Sequence, residues 1–351
     1  MKILILKPSS LGDVIQALPV LRLLKLHYPD SEIFWWIDSA LAPLIEGDPD
    51  LTGIVRFERK RWAKPQHWPE MVRSVRWLRS QHFDLVIDLQ CLLRSSAFAW
   101  LARGKFLAGL DEVREGARGF YDLAAPRKTF HTHAVDWYLS VLPPLGVPVH
   151  KNFNWLPERA EISAAVNQKW FAENSKLKTQ NSKLISKLIL LQPGARWKNK
   201  RWPAKFFAEL VRALAEKFPD ARFAILGDKG DQPLGEIILQ AAPEKVLNLC
   251  GATSLPEMIE IVRRCDLMVT NDTGPMHVAA ALGKPLVALF GPTAPERTGP
   301  YGQLENVLRL KLPCSPCLKS DCSIENTDEC LRALPPALVL ARVEKLLNVH
   351  A

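Results

Sequence analysis

The first fourteen residues of the chain predict a buried strand that leads directly into a helix. An apolar run at residues 3–6 is typical of a strand, and Pro8 ends it. From Val14 onward, apolar side chains recur at helical spacing. A small polar turn that contains Gly12 and Asp13 joins the two segments. A strand, a turn and a helix in this order open a Rossmann-like sheet, in which ligands bind at the carboxyl ends of the strands.

The turn also excludes two common nucleotide-binding motifs. It contains neither the G-x-x-x-x-G-K-[ST] pattern of a P-loop nor the G-x-G-x-x-G fingerprint of dinucleotide-binding proteins. Its carboxylate, Asp13, is therefore the candidate for chemistry at this strand end, with the hydroxyls of Ser9 and Ser10 beside it. The alternative is that Asp13 only caps the helix, where the dipole and the free N–H groups favour an acidic side chain.

Both halves of the chain alternate strands with helices, which predicts an α/β protein with parallel sheets. The predicted strands are 3–6, 32–37, 54–57, 85–89 and 106–110, then 188–192, 221–226, 246–249, 267–270 and 285–290. The polar, repetitive segment 176–187 predicts a linker. The expected organisation is a Rossmann-like domain at 1–175, the linker at 176–187, a second Rossmann-like domain at 188–333 and a terminal helix at 334–351.

Two such domains match the GT-B fold, in which two Rossmann-like domains face each other across a cleft. The alternative is a two-domain dinucleotide enzyme, which the missing glycine fingerprint disfavours. The length of 351 residues agrees with about two domains, and the content of 48% hydrophobic and 24% charged residues is typical of globular proteins.

The formal net charge of +9 favours an anionic partner. The longest run of like charges is only Arg59-Lys60-Arg61, and no RNA-binding signature is present, so nucleic acid is not expected. The apolar stretch after Lys2 ends at Lys7, which predicts no signal peptide. No apolar segment approaches the roughly 20 residues of a membrane-spanning helix. We expect a cytoplasmic protein whose membrane contact, if any, is peripheral.

Residues 56–79 are rich in basic side chains, with tryptophans between them. The basic residues are Arg56, Arg59, Lys60, Arg61, Lys64, Arg73, Arg76 and Arg79, against Glu58 and Glu70. The segment is either a solvated helix face with core tryptophans, or a patch that meets the phosphate groups of an amphiphile at a membrane surface.

A second polar loop, which follows a predicted strand, turns into a helix at Pro275. The free N–H groups and the dipole of that helix form a site for an anion. Thr273 and Gly274 lie at its mouth, and His277 falls within the first turn. The alternative is that Asp272 or Thr273 only caps the helix and that His277 is a structural histidine.

A third polar loop, at residues 194–203, follows another predicted strand and is strongly basic. It carries Arg196, Lys198, Lys200 and Arg201. A lysine at a strand end is a compact charge suited to a phosphate group, and the alternative is an exposed basic loop.

Together these segments resemble glycosyltransferase family 9, the ADP-heptose:lipopolysaccharide heptosyltransferases. The resemblance covers roughly residues 1–330, in the family's order and spacing. The matching segments are 9–13 (Ser-Ser-Leu-Gly-Asp), 200–203 (Lys-Arg-Trp-Pro), 271–277 (Asn-Asp-Thr-Gly-Pro-Met-His) and 288–293 (Ala-Leu-Phe-Gly-Pro-Thr), with weaker matches at 88–95 and 133–135. At Cys91 the chain departs from a usual glycine of the family.

The resemblance implies an inverting glycosyltransferase that needs no metal. It would move heptose from ADP-heptose to the inner core of lipopolysaccharide, with Kdo-lipid A or its heptosylated product as the acceptor, at the inner face of the cytoplasmic membrane. The N-terminal domain would bind the acceptor and the C-terminal domain the nucleotide sugar. The alternatives are a relative that uses another nucleotide sugar, or a non-catalytic, metal-binding protein that reuses the scaffold.

The resemblance also implies roles for individual residues. Asp13 would be the general base, and the acceptor pocket would contain Ser9, Ser10, Gly12, Arg61 and Arg94. The donor would be bound by Lys200, Asp231, Asp272, Thr273, Gly274 and His277. Asp228 and Asp231 compete for the position of the family's ribose-binding carboxylate, and we favour Asp231.

The seven cysteines fall into two groups. Cys91, Cys250 and Cys265 lie singly in apolar surroundings, which predicts core thiols. The other four have the spacing Cys314-x2-Cys317-x4-Cys322-x7-Cys330. This cluster is a candidate for structural zinc or an iron–sulfur cluster, but the spacing fits no standard zinc pattern, and free structural thiols are the favoured interpretation.

Overall fold

The computed structural model describes residues 1–111, 114–171, 187–322 and 329–349. The chain divides into two compact units, Met1–Pro157 and Glu158–Ala351. The division lies earlier than the boundary expected at residue 175. The predicted linker 176–187 lies outside the described residues except for Lys187.

The first unit is built on a six-stranded parallel sheet with the strand order β3-β2-β1-β4-β5-β6. Its strands are β1 (Lys2–Leu6), β2 (Glu32–Asp38), β3 (Gly53–Phe57), β4 (Leu85–Asp88), β5 (Phe106–Asp111) and β6 (Leu123–Pro126). Its helices are α1 (Leu11–His27), α2 (Arg59–Trp62), α3 (Trp68–Ser80), α4 (Leu93–Leu101) and α5 (Ala134–Leu139).

The central strand explains why the opening apolar run is continuous rather than alternating. The side chains of residues 3–6 are fully buried, because helices cover both faces of the parallel sheet. Helix α1 is buried from Val14 to Leu24 and contacts α5. On the other face, Leu4 and Leu6 share a core cluster with Trp36, Leu78 and other apolar residues.

The second unit repeats this plan, with the strand order β12-β11-β10-β7-β8-β9, all parallel. Its strands are β7 (Leu188–Gln192), β8 (Arg222–Ile225), β9 (Val246–Asn248), β10 (Leu267–Asn271), β11 (Leu286–Leu289) and β12 (Val307–Leu308). Its helices are α6 (Ala160–Trp170), α7 (Ala204–Lys217), α8 (Gln232–Leu239), α9 (Leu255–Arg264), α10 (Gly274–Ala281), α11 (Pro295–Thr298), α12 (Glu329–Arg332) and α13 (Pro336–Val349).

Helix α6 belongs to the second unit, whereas the sequence placed it in the first. Its residues bond to α9: Arg264 donates to the Asn167 side chain at 2.9 Å and to the Ser163 hydroxyl at 2.6 Å. Lys169 also forms an ion pair with Glu257 at 3.0 Å. These contacts join residues that are about 90 to 100 positions apart, so no local pattern could reveal them.

Each sheet has one switch point, where the strand order reverses from one side of the first strand to the other. It lies between β1 and β4 in the first unit and between β7 and β10 in the second. Ligands of open α/β sheets bind beyond the carboxyl ends of the strands at such points. The predicted α/β class with two Rossmann-like domains is thereby confirmed. None of the described helices is long and apolar enough to cross a bilayer.

Candidate active site

A buried lysine bridges the switch point of the first unit. Lys7 follows β1 directly, is only 4% exposed, and donates a hydrogen bond from Nζ to the carbonyl oxygen of Leu89, just beyond β4, at 2.9 Å. Its ammonium also lies 4.6 Å from the centre of the Tyr138 ring. The lysine therefore holds a positive charge at the point where the sheet offers a ligand site.

Asp13 lies beside this charge, in the first turn of α1. Its Oδ2 accepts hydrogen bonds from the backbone N–H of Ser10 at 2.9 Å and from the Ser10 hydroxyl at 2.6 Å. Its Oδ1 accepts a hydrogen bond from the Tyr138 hydroxyl at 3.1 Å. The bond to the Ser10 N–H is half of a capping box, so Asp13 does stabilise the helix start. Asp13 is the third residue of the helix, and Ser10 occupies the N-cap position.

These contacts keep the carboxyl group ionised. Burial raises the pKa of Asp13, but the positive charge of Lys7 and the hydrogen bonds from Ser10 and Tyr138 outweigh it, and the net pKa lies below the usual value. The Asp13 side chain is partly exposed at this edge. A partly exposed carboxylate that stays charged at neutral pH can accept a proton from a bound hydroxyl.

The other predicted acceptor residues are placed at different distances from this carboxylate. Ser10 contacts Asp13 directly, and Ser9 and the buried Gly12 lie in the same turn. Arg61 is exposed on α2 and pairs with Glu70 at 2.6 Å, and Arg94 is exposed near the start of α4. No hydrogen bond or ion pair within the described part of the chain joins either arginine to Asp13.

The segment after β4 is a buried hydrogen-bonded turn. Asp88 is fully buried and accepts hydrogen bonds from the N–H of Cys91, the Ser95 hydroxyl at 2.8 Å and the Tyr121 hydroxyl at 2.9 Å. Cys91 has a φ of +55°. This left-handed conformation, which glycine adopts freely, explains why the resembled family has glycine there.

A side chain also spans the switch point of the second unit. Asn271, at the end of β10, donates from Nδ2 to the carbonyl of Pro193, just beyond β7, at 2.7 Å. Its Oδ1 accepts the backbone N–H of Trp202 at 3.1 Å. The fully buried Asn271 thus fixes the basic loop against the two central strands.

The predicted phosphate-binding lysine is held by a predicted donor residue. Lys200 Nζ forms an ion pair with Asp272 Oδ2 at 2.7 Å, and the Thr293 hydroxyl donates to the same oxygen at 2.6 Å. The ammonium also lies 4.7 Å from the ring centre of Trp197. Because Asp272 is nearly buried, its charge needs Lys200 nearby. Asp272 therefore positions the lysine.

Helix α10 begins at the same edge, with Thr273 as its N-cap and Gly274 as its first residue. No side-chain hydrogen bond caps it. Pro275 has no N–H and the Met276 N–H donates to the Thr273 carbonyl at 3.2 Å, so what this helix start offers an anion is mainly the positive end of its dipole. His277 lies in the first turn and is buried. The structure thus brings Lys200, Asp272 and the start of α10 to one place.

Asp231 lies at the end of the next strand, β8, and is packed unusually tightly. A Cβ atom added to Gly194 would lie 2.0 Å from Asp231 Oδ2, so only glycine fits there. The nearest cation is Arg201, at 3.7 Å, and burial raises the pKa of the carboxyl group. Asp231 Oδ1 is buried with no hydrogen-bond partner, whereas Asp228 is exposed and accepts from Gly230 N–H at 2.7 Å.

The four clustered cysteines do not form a metal centre in the described part of the chain. Cys314 and Cys317 are exposed, Cys322 and Cys330 are partly exposed, and all four are free thiols. No group of three or more histidine, cysteine or acidic side chains is gathered for a metal ion among the described residues. In the described part of the chain the four thiols are therefore not gathered into one set of metal ligands.

Sequence reasoning missed two residues beside Asp13. In the sequence, Lys7 was noted only as the end of the apolar run. A lysine at the carboxyl end of a buried strand could itself have indicated a residue of the ligand site. Tyr138 lies in a helix after the matching segment 133–135, and only its tertiary contact reveals it.

Two doubly wound units, each with polar side chains at its switch point, are the architecture of a two-domain glycosyltransferase. The family model for glycosyltransferase family 9 (heptosyltransferase) matches residues 71–328. Lipopolysaccharide heptosyltransferase 1 of Pseudomonas aeruginosa is 29% identical, over 99% of this chain and 98% of the relative. Lipopolysaccharide heptosyltransferase 2 of Escherichia coli K12 is 28% identical, over 99% of both chains.

Among solved structures, that of E. coli ADP-heptose LPS heptosyltransferase II is similar to this chain with a TM-score of 0.78, 25% identity and complete coverage of both chains. The chain belongs to glycosyltransferase family 9, the heptosyltransferases. It is a glycosyltransferase of the lipopolysaccharide heptosyltransferase type.

Proposed function

We propose that the protein transfers heptose from ADP-heptose to the inner core of lipopolysaccharide, with inversion at the anomeric carbon and without a catalytic metal. The acceptor is Kdo-lipid A or its heptosylated product, and the protein works at the inner face of the cytoplasmic membrane. The ADP-heptose named for the similar E. coli structure supports the choice of donor. Relatives named for the first and for the second heptosyltransferase have nearly the same identity, so both acceptors are retained.

In this mechanism the first unit activates the acceptor. Asp13 removes the proton from the acceptor hydroxyl while that oxygen forms a bond to the anomeric carbon of heptose. One carboxylate acting as base, with no second carboxylate as nucleophile, gives a single displacement and therefore inversion. A positioned general base contributes about 10²–10⁴-fold to the rate.

The second unit stabilises the leaving group. As the bond between the anomeric carbon and the phosphate oxygen breaks, ADP takes the electron pair and gains negative charge. Lys200 and the positive end of the α10 dipole are placed to stabilise that charge, and Asp272 holds Lys200 in position. In this proposal Asp231 accepts hydrogen bonds from the ribose hydroxyls through Oδ1, which has no hydrogen-bond partner, and Thr273, Gly274 and His277 contact the diphosphate and the sugar.

The observation that carries the proposal is the state of Asp13. It lies at the carboxyl end of the central strand, partly exposed, and is held ionised by Lys7, Ser10 and Tyr138. The Ser10 contact is also part of the helix cap, but the charge of Lys7 and the Tyr138 hydrogen bond are not needed for capping. They keep the carboxylate ionised and oriented, as a general base requires.

The test is transfer from ADP-heptose to Kdo-lipid A by the wild-type chain and by Asp13→Asn. We expect kcat to fall by about 10²–10⁴-fold in the variant, and we expect NMR of the wild-type product to show the inverted anomer. Full activity in Asp13→Asn would show that Asp13 is not the base. A product with retained configuration would contradict the single displacement.

The chain offers a matched control for the capping role of Asp13. Glu257 occupies the corresponding position of α9 and accepts from the Ser254 N–H at 2.7 Å and from the Ser254 hydroxyl at 2.8 Å. Glu257→Gln should lose a similar capping stabilisation, about 1 kcal/mol, and keep full activity. Equal loss of activity in both variants would reduce Asp13 to a structural residue.

The donor is tested separately by thermal shift, since a ligand that binds the native state raises its apparent stability. ADP and ADP-heptose should raise the melting temperature more than UDP and UDP-sugars do. The opposite order would identify a relative that uses another nucleotide sugar.

A further inference from the structure

Helix α3 exposes an unusual combination of side chains. Trp68, Val72 and Trp77 are 53%, 42% and 41% exposed, and Arg73 and Arg76 are exposed among them. Trp68, Val72 and Arg76 follow one another at i, i+4 spacing, and Arg73 and Trp77 form the neighbouring row, so the five residues together cover about half of the helix circumference. Single exposed apolar residues are ordinary, but three on one helix face, interleaved with arginines, indicate an interaction surface.

The opposite face of α3 anchors the helix to the first unit. Leu78 is buried in the core cluster, and Met71 and Val75 pack against that cluster. The Trp77 ring is held edge-on to Phe34, with 5.8 Å between the ring centroids. The exposed face is therefore presented by a rigid element.

The charge around this face has one sign. The neighbouring segment, which includes the short helix α2, adds exposed Arg59, Lys60 and Lys64, and the only acids at residues 56–79 are Glu58 and Glu70. Glu70 is already paired with Arg61. An occupant of the surface must therefore be anionic and must also accept indole rings.

We infer that the exposed face of α3 docks on the anionic surface of a lipid bilayer. Tryptophan is enriched at the interface between the hydrocarbon and the headgroups, and clustered arginines and lysines are attracted to anionic headgroups. The helix would lie in the plane of the interface, with Trp68, Val72 and Trp77 among the headgroups. The inference rests on the proposed function in one respect, because a membrane-embedded acceptor requires the enzyme at that surface.

The test is flotation of the full chain with vesicles and without any donor or acceptor, so that it is independent of sugar transfer. The wild-type chain should bind phosphatidylethanolamine vesicles that contain phosphatidylglycerol, and should bind vesicles of phosphatidylcholine alone much more weakly. Binding should weaken as salt is added. Equal binding to both kinds of vesicle, or to neither, would overturn the inference.

Two sets of variants separate the anchoring residues from general charge. Arg73→Ser with Arg76→Ser should weaken binding by about 25-fold, roughly fivefold for each arginine. The control, Arg212→Ser with Lys345→Ser, removes the same charge from exposed positions of the second unit and should change binding by less than about twofold. An equal effect of both double variants would indicate an attraction that any cation supplies, and would overturn the assignment to α3.

The apolar part is tested by Trp68→Ser and, as a second variant, Val72→Ser. Their control is Leu338→Ser, which removes a side chain that is 50% exposed on α13. We expect the α3 variants to weaken vesicle binding severalfold and the control to leave it unchanged. If Trp68 and Val72 can be replaced without effect, or if their replacement instead abolishes self-association or binding to an acidic protein, the partner is not a bilayer. Transfer to a water-soluble acceptor fragment should stay unchanged in every α3 variant.

Discussion

The hydroxyl of Tyr138 donates a hydrogen bond to Oδ1 of Asp13 across 125 positions of the sequence. The ring of the same tyrosine lies against the Lys7 ammonium, so one side chain orients both the carboxylate and the cation that keeps it charged. Helix α5, which packs against α1, places it there. Tyr138 therefore acts on the reaction through Asp13 and is a positioning residue.

Removal of this hydroxyl should leave the Asp13 carboxylate less well oriented and leave the fold intact. In Tyr138→Phe, Asp13 loses one of the hydrogen bonds that lower its pKa, so the acid limb of kcat/KM should move to higher pH. We expect a fall in kcat of about tenfold and a loss of about 1 kcal/mol in stability. A full pH–rate profile and a denaturant titration measure the two effects.

Tyr121→Phe is the matched control, because the Tyr121 hydroxyl donates to the buried Asp88 at 2.9 Å. It should lower stability by a similar amount and leave the pH profile unchanged. Identical profiles for the wild type and Tyr138→Phe would show that the tyrosine does not act on Asp13.

Removal of the Lys7 charge should shift the acid limb of the kcat/KM profile further than removal of the Tyr138 hydroxyl does. Burial alone raises the pKa of Asp13, and the positive charge of Lys7 is the first influence that opposes it. Without that charge, the folded-state pKa of Asp13 should rise. Activity that needs ionised Asp13 is then lost at a higher pH as acid is added. The measurement is kcat/KM against pH for Lys7→Gln, whose amide can still donate to the Leu89 carbonyl.

Lys25→Gln controls for the loss of a lysine that donates to a backbone carbonyl. Lys25 also lies in the first unit, and its Nζ donates to the carbonyl of Ser31 at 2.9 Å. Its replacement should leave the acid limb where it is in the wild type. A shift of equal size in both variants would mean that net charge, rather than the position of Lys7, sets the ionisation of Asp13.

The sequence predicted the sheets well because buried parallel strands read as short apolar runs between helices. Two short strands were missed: β6 contains only four residues and β12 only two. An apolar segment such as 40–45 could form either a short helix or a 3₁₀ turn, and the structure contains only a 3₁₀ turn there, at Ala42–Leu44. A length of six residues without a cap could not distinguish the two.

The candidate site was predictable where its residues lie in the loop or helix start that follows a buried strand. Asp13, Lys200 and Asp272 come seven, eight and one residues after β1, β7 and β10, so the sheet itself brings these segments to the ligand edge. Tyr138 was not predictable, since its approach to Asp13 depends on the packing of two helices that are far apart in sequence. The pairing of Lys200 with Asp272 is likewise a tertiary contact.

Asp231 and Asp228 can be distinguished by nucleotide affinity. Asp231 Oδ1 is buried without a hydrogen-bond partner, and a ribose hydroxyl would satisfy it, so Asp231→Ala should weaken ADP binding by about tenfold or more. Asp228→Ala removes an exposed carboxylate that caps the turn and accepts from the Gly230 N–H, and should leave the affinity within about twofold. Isothermal titration with ADP measures both, and a larger effect of Asp228→Ala would reverse the assignment.

At position 91, glycine should be at least as stabilising as alanine, which is the reverse of the usual order of stability. Glycine is normally less stable than alanine by about 0.5–1 kcal/mol, but at a φ of +55° a side chain costs about 1 kcal/mol or more. Cys91→Gly should therefore be at least as stable as Cys91→Ala, although it removes more atoms. Urea denaturation of the two variants measures which is the more stable.

The buried Cys265, where φ is −71°, provides the control. There the same two substitutions should keep the usual order of stability, with the glycine variant less stable than the alanine variant. If alanine were the more stable residue at both positions, backbone strain at Cys91 could not explain the glycine of the family.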